Sequence, residues 1–195
     1  YRKEGEKETL MSVEVVSGKA VPYTKEEKKD PEIKGAINLT VSPDKKYAAY
    51  TKVDHNLYVQ ELSSGKETAL TSDGSDVILN GYASWVYYEE ILGRPSKYRA
   101  FWWSPDSKQI AYMRFDDSEV PVFPIYVADG QHGYLEKERY PKAGDKNPEV
   151  KIGITDIASA KTIWTDFNPA NDQYFGTPAW SPGNEFFVQW MNRDL

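Results

Sequence analysis

Val41-Ser42-Pro43-Asp44 running into Tyr47-Ala48-Ala49-Tyr50, Trp103-Ser104-Pro105-Asp106 running into Ile110-Ala111-Tyr112, and Trp180-Ser181-Pro182-Gly183 running into Phe186-Phe187-Val188 are one pattern written three times. Each reads as a strand end, a turn and a returning strand. Proline presets φ for a turn, and Asp or Gly completes it. The apolar residues after the turn supply the second strand. A second hairpin unit lies between these repeats. Asn56-Leu57-Tyr58-Val59 passes through Ser63-Ser64-Gly65-Lys66 to Ala69-Leu70-Thr71. Val13-Glu14-Val15-Val16 passes through Ser17-Gly18-Lys19 to Val21, and Ile152 to Ile157 passes through Ala158-Ser159-Ala160-Lys161 to Ile163-Trp164.

Strand pairs recurring over tens of residues, with no long helical pattern between them, point to small antiparallel sheets repeated radially. The chain is therefore expected to be all-β, a partial β-propeller; the same hairpins are also compatible with a β-sandwich. Pro43 and Pro105 stand 62 residues apart, and Pro105 and Pro182 stand 77 apart. Regular blades are shorter, so both intervals must carry insertions.

Composition agrees with strands. Of 195 residues, 14% are aromatic, including 6 Trp and 14 Tyr, and these side chains favour half-buried pleated surfaces. The net charge is −6 and no basic cluster dominates. In Lys25 to Lys34 the lysines alternate with Glu26, Glu27, Asp30 and Glu32, which reads as a solvated loop. Nucleic-acid binding, which needs a positive surface, is not expected. With no Cys, thiol and disulfide chemistry are excluded. Val120 to Ala128, interrupted by Pro121 and Pro124, is too short to span a bilayer, which takes about 20 residues. The chain starts at Tyr1 and stops at Asn192-Arg193-Asp194-Leu195, just after an apparent strand. Both ends are expected to be cut from a longer protein.

The first insertion contains Ser84-Trp85-Val86-Tyr87-Tyr88-Glu89-Glu90-Ile91-Leu92-Gly93-Arg94-Pro95. Ser84 is a good N-cap. Trp85, Tyr88, Ile91 and Leu92 share a helical stripe, Gly93 suits the position after the helix, and Pro95 stops it. This predicts a helix of about two turns. Neighbours on a strand point to opposite faces. On a helix they diverge by only about 100°, so Glu89 and Glu90 can reach one small cation. An ammonium offers three donors. Each ion pair at about 4 Å gives on the order of 4 kcal/mol at an effective dielectric near 20, before desolvation. The pattern alone leaves a second reading open, in which the two glutamates are the wet face of the helix. A glycosidase acid/base pair fits less well, because those carboxylates flank a bond from separate positions.

The second insertion follows Phe115. Asp116-Asp117-Ser118-Glu119-Val120-Pro121 leads to Phe123-Pro124-Ile125-Tyr126, a polar stretch from Asp129 to Glu138, and Arg139 to Pro148. It reads either as an arm that contacts another subunit or as a surface loop. His55 and His132 read as solvated turn residues. No zinc spacing, phosphate-binding glycine loop or Gly-x-Ser-x-Gly elbow is present, so no metal, cofactor or catalytic residue is assigned in this chain.

Trp85-Val86-Tyr87-Tyr88-Glu89-Glu90, Phe101-Trp102-Trp103-Ser104-Pro105-Asp106, Phe115-Asp116-Asp117, Glu119-Val120-Pro121 and Tyr140-Pro141-Lys142-Ala143-Gly144 with Asn147-Pro148 occur in this order. Together they resemble the N-terminal β-propeller of the dipeptidyl peptidase IV family, serine peptidases of the prolyl oligopeptidase clan, and bacterial members in particular. The likeness is strong from about Asn80 to Pro148 and diffuse elsewhere. It implies that residues 1–195 are about half of an eight-bladed ring, with a short helical insertion and an extended arm. A C-terminal α/β-hydrolase domain with the Ser-Asp-His triad would lie outside the chain, which would be inactive alone. The full-length protein would release X-Pro or X-Ala dipeptides from peptide N-termini, with Glu89 and Glu90 binding the substrate's free amine. Phe123 to Pro148 would help form a homodimer, and the location would be periplasmic or at the cell envelope. Ser84 stands where the family has Asp, and Tyr88 where it has the first Glu of a triplet. The alternative is a non-enzymatic propeller that binds protein or glycan partners.

Overall fold

A computed structural model describes residues 2–4, 7–23 and 30–193. The chain divides into two compact units, Tyr1–Pro31 and Glu32–Leu195. In the first, β1 (Arg2–Glu4) pairs with β2 (Lys7–Thr9), and β3 (Met11–Val13) with β4 (Ala20–Pro22), both antiparallel. The hairpin expected around Gly18 is present, with one correction. Val15 and Val16 lie in its turn, each 97% exposed, not in its strand. The turn is closed by Gly18 N–H to Glu14 O at 2.8 Å, with Gly18 at φ +67°. Of the Lys25 to Lys34 loop, residues 25–29 lie outside the described residues.

The second unit holds two full antiparallel blades. The first runs β5 (Ile37–Val41), β6 (Tyr47–Thr51), β7 (Leu57–Glu61) and β8 (Glu67–Ala69), each paired with the next. The second is assembled from strands farther apart in sequence. Its order is β10 (Phe101–Trp103), β11 (Gln109–Asp116), β14 (Glu149–Asp156) and β15 (Lys161–Trp164), and β9 (Ile78–Asn80) also pairs with β11. The helical insertion separates β9 from β10. The arm, β12 (Val122–Val127) and β13 (Tyr134–Arg139), interrupts the passage from β11 to β14. Two further pairs follow: β16 (Gln173–Phe175) with β19 (Trp190–Asn192), and β17 (Ala179–Trp180) with β18 (Phe186–Phe187). Within this unit the sheets of the described residues do not close on one another, and the fold is a partial β-propeller rather than a sandwich.

The three Ser-Pro turns are built alike. Ser42 Oγ donates to Asp44 Oδ1 at 2.7 Å and accepts from Tyr47 N–H at 3.0 Å. Ser104 repeats both bonds with Asp106 and Gln109 at the same distances. In the third, Ser181 Oγ accepts from Glu185 N–H at 3.1 Å. The turns also link successive repeats. Asp44 N–H donates to Ser107 Oγ at 3.0 Å, and Asp106 N–H to Asn184 Oδ1 at 3.2 Å. The indoles do the same: Trp103 Nε1 donates to Thr40 O at 3.3 Å, and Trp180 Nε1 to Trp102 O at 3.2 Å. One repeat is thus joined to the next by the same pair of bonds, as radial repetition requires.

The core lies on both faces of the second blade. Strand side chains alternate between faces. Ile110 and Tyr112 of β11 meet Ala49, Leu57 and Val59 of the first blade. Met113 and Phe115 turn the other way, beside Val150 and Ile152 of β14, toward the helical insertion and Phe175. That second face is the platform on which the glutamate-bearing helix is seated.

Candidate functional site

The insertion is helical, but its form differs from the expectation. Trp85 and Val86 begin an α-turn, and Tyr88 N–H donates to Ser84 O at 3.0 Å. From Tyr87 to Ile91 the helix is wider, of the π type, and Leu92 N–H reaches back five residues to Tyr87 O at 2.7 Å. Such wide turns occur frequently at functional sites. Gly93 follows at φ +78°, as expected for the residue past the helix end. Pro95 does not stop all turning, because Arg94–Ser96 form a 3₁₀ turn with the proline at an early position.

Two sequence expectations are corrected here. The buried apolar residues of the helix are Val86 and Tyr87, not the stripe of Trp85, Tyr88, Ile91 and Leu92, whose members are half-buried. Tyr87 packs edge-on against Phe115 at 4.8 Å, and its hydroxyl accepts Phe175 N–H at 3.1 Å. Ser84 supplies the carbonyl that opens the helix, but its hydroxyl caps no N–H. That hydroxyl is buried without a hydrogen-bond partner.

The half-buried members fix the helix laterally. Trp85 meets Tyr140 at the base of the arm edge-on at 4.8 Å. Tyr88 stacks on Tyr98 at 3.7 Å, and Tyr98 on Tyr82 at 4.9 Å. Tyr98 sits at φ +68° and Lys97 at +50°, a conformation sparse for bulky residues. The tyrosine stack occupies one side of this turn.

The structure places Glu89 and Glu90 side by side on the π-type turn. Their surroundings differ. The Glu89 side chain is 13% exposed and accepts Arg94 Nε at 2.6 Å. Arg94, five residues on, is largely exposed, and Glu89 raises its affinity for its proton. Glu90 is exposed and has no ion-pair or hydrogen-bond partner among the described residues. It borders a cavity of about 600 Å³ whose wall includes Val86, Ile91, Tyr174, Met191, Thr177 and Gln189. The site is thus one carboxylate held by an arginine and one left open beside a largely apolar hollow.

Sequence reasoning missed two groups. Arg94 was visible only as a residue near the helix end, whereas the wide turn brings it to Glu89. Asp117 draws no role from the sequence motif around it. Alternation along β11 puts residues 113 and 115 on the core side, and the same period carried two residues further marks Asp117 as inward. It is 4% exposed, and burial pushes its carboxyl up to about 7. The nearby Ser84 hydroxyl and the Arg139 charge oppose the shift, although no hydrogen bond to Ser84 is closed. Asp117 borders a second cavity, of about 480 Å³, between the helix and the arm base.

The other sequence candidates lie elsewhere. His55 occupies a turn at φ +56°, with Nδ1 2.8 Å from Ser75 O and its ring on Tyr82. His132 is exposed in the arm's turn. The arm is a regular hairpin with Val122 opposite Arg139 and Val127 opposite Tyr134, so the polar stretch from Asp129 to Glu138 supplies most of a strand. Val122, Phe123, Ile125, Tyr126, Tyr134 and Leu135 are exposed along it. Among the described residues no helix is long and apolar enough to cross a membrane, and no cluster of three or more His, Cys, Asp or Glu could hold a metal.

Comparison with known proteins agrees with this architecture. The family described as the dipeptidyl peptidase IV (DPP IV) N-terminal region matches residues 3–195. A probable dipeptidyl-aminopeptidase B of Talaromyces marneffei is 34% identical over 182 residues, covering 85% of this chain and 20% of the relative. Prolyl endopeptidase FAP of Mus musculus is 34% identical over 147 residues, covering 71% and 19%. The crystal structure of Porphyromonas gingivalis dipeptidyl peptidase 4 superposes with a TM-score of 0.70 at 25% identity, covering 95% of this chain and 25% of that one. A putative dipeptidyl aminopeptidase IV from Bacteroides ovatus gives 0.66 at 29% identity, covering 83% and 21%. The chain spans about a fifth of the length of the curated relatives it matches. With the repeated blades, the helical insertion and the arm, these matches show that the chain belongs to the dipeptidyl peptidase IV N-terminal region family.

Proposed function

We propose that this chain is the propeller segment of a serine-type dipeptidyl aminopeptidase, and that Glu89 and Glu90 clamp the free amine of the peptide substrate. The observation that carries the reading is a pair of adjacent carboxylates on a π-type turn bolted to the core by Tyr87, with Glu90 open beside an apolar hollow. A rigid mount matters, because a clamp that must first be ordered loses affinity to that ordering. Arg94 holds Glu89 in place and leaves Glu90 as the entering amine's first contact. Anchoring the N-terminus at a fixed distance from a nucleophile selects the length of the product, a dipeptide, and the family resemblance implies Pro or Ala at its second position. The hydrolysis belongs to a C-terminal α/β-hydrolase domain outside residues 1–195, and these residues alone are inactive. The exposed apolar hairpin within Phe123 to Pro148 is assigned to a homodimer contact, and the protein to the periplasm or cell envelope.

The test is made in the full-length protein. Glu89→Gln and Glu90→Gln remove one charge each with little change in shape. Losing one member of a desolvated charge pair costs about 2–5 kcal/mol, and about 1.4 kcal/mol is tenfold. Each variant is expected to lower kcat/KM for substrates with a free N-terminus by at least roughly tenfold. N-acetylated substrates should be poor for the wild type and no worse for the variants. Near-wild-type kcat/KM in both variants would overturn the reading.

A further inference from the structure

We propose that Arg94 is a specificity-determining residue, a resident cation that matches the charge of the Glu89–Glu90 pair to a single ammonium and so selects against peptides with a basic first side chain. The inference rests on the reading of that pair as an amine clamp. Arg94 is seated by its own turn. Gly93 precedes it at φ +78°, and Pro95 follows it. Ser96 N–H donates to Gly93 O at 3.0 Å, and Lys97 N–H to Arg94 O at 3.0 Å. Tyr98, just past this turn, stacks at 3.7 Å on Tyr88, the neighbour of Glu89. The backbone of Arg94 is thereby tied to the helix that carries the glutamates.

The contact it makes is a partial one. Arg94 Nε donates to Glu89 Oε2 at 2.6 Å, and among the described residues this is the only hydrogen bond or ion pair of its side chain. The Arg94 side chain is 74% exposed, against 13% for Glu89. A two-bond arginine–carboxylate fork would occupy both oxygens. The single Nε bond leaves Glu89 Oε1 without a partner among the described residues, so an ammonium can take that oxygen and Glu90 while Arg94 stays. Two carboxylates and one guanidinium leave one negative charge, which one ammonium neutralises. A lysine at the first position of the peptide brings a second positive charge. It sits six bonds from the first, within about one Debye length, roughly 8 Å at physiological salt. The adjoining hollow has no acid to spare for it. Apart from Glu90 its wall holds no charged side chain, and Val86, Ile91, Tyr174 and Met191 give it an apolar surface. Arg94 repels the second charge outright. Discrimination commonly uses such a repulsive element beside the attractive one.

The experiment measures kcat/KM of the full-length protein on lysyl-prolyl and norleucyl-prolyl p-nitroanilide, whose first side chains differ in charge far more than in shape. The readout is the ratio of the lysyl to the norleucyl value. Arg94→Gln keeps a donor for Glu89 and removes the charge. It is expected to raise the ratio about threefold at low salt, the size of an exposed charge pair. In about 0.5 M salt the rise should shrink below about 1.5-fold, because exposed charges are then screened. Arg94→Lys keeps the charge and should leave the ratio within about 1.5-fold of wild type. A ratio in Arg94→Gln that stays at the wild-type value at low salt would overturn the proposal. An equal loss on both substrates is one form of that result, and it would mean that Arg94 only orients Glu89. A rise as large in Arg94→Lys would overturn it too, since charge would not be the cause. Glu89→Gln and Glu90→Gln on the norleucyl substrate test the clamp separately. If both keep near-wild-type kcat/KM, the clamp reading fails and this proposal with it. If they lose activity while the Arg94→Gln ratio is unchanged, the clamp stands and only the proposal fails.

Discussion

A buried carboxyl makes stability depend on pH in a direction that its surroundings set. Asp44, Asp106 and Asp156 are held below the ordinary range chiefly by serine hydroxyls, and Asp54, Glu67 and Asp73 are lowered as well by tyrosine, lysine, arginine or amide hydrogen bonds that outweigh their burial. Their stabilisation is present above the unfolded values and is lost only in acid, as pH falls through the folded ones. Asp117 behaves in the opposite sense. Its folded value, about 7, lies above the ordinary 3.8, so the native state holds a proton that the unfolded chain has released. Its contribution is complete below about pH 4 and is lost as pH rises through 7. Glu138 is raised too, with the same sign. Melting temperature is therefore expected to fall between about pH 5 and pH 8, where the lowered carboxylates no longer titrate. Asp117→Asn cannot ionise and should flatten most of that slope. A slope equal to wild type in the variant would show that another group carries it.

At the scale of elements, the arm and the blades should be separable. Gly133 closes the arm's turn at φ +61°, and its N–H donates to Asp129 O at 3.0 Å. A Cβ there would come within 2.7 Å of Val127 O, a backbone atom that cannot swing away. Gly133→Ala thus combines an unfavourable φ with a clash. The β12–β13 ladder should loosen while the β5–β8 blade and the blade of β10, β11, β14 and β15, which do not use it, keep their stability. Limited proteolysis should cut the variant within residues 122–139 at least several-fold faster, with the melting temperature of the blades within about 2 °C of wild type. If the arm carries the dimer, the same variant should also weaken dimerisation in sedimentation. A melting temperature several degrees lower would mean that the arm is part of the blade's cooperative unit.

Across the whole chain, what could be read in advance followed locality. The Ser-Pro-Asp hairpins were legible because a turn is encoded by four neighbouring residues, and the two insertions because they stretch the repeat interval. The bonds from Asp44 to Ser107 and from Trp103 to Thr40 were not legible, since each joins residues more than sixty positions apart. The π-type turn escaped for the same reason. Tyr87 is held by Phe115 and Phe175, and that tertiary grip draws the helix off the α-helical stripe. The glutamate pair was legible as a pair, whereas its unequal halves depend on where Arg94 lands. This dependence on the next repeat leads to a prediction about a protein made of residues 1–195 alone. Each repeat is completed by bonds to its neighbour, and β18 pairs only with β17 among the described residues. Phe187 on β18 and Trp190 on β19 are more than half or half exposed, at 56% and 50%. Unpaired strand edges with exposed aromatic residues invite pairing with another chain. Residues 1–195 expressed alone should therefore self-associate at micromolar concentration, and Phe187→Lys with Trp190→Lys should reduce it, since edge lysines oppose strand addition. Sedimentation velocity checks both, and a monodisperse monomer of the unmodified chain would show that these edges are already satisfied within it.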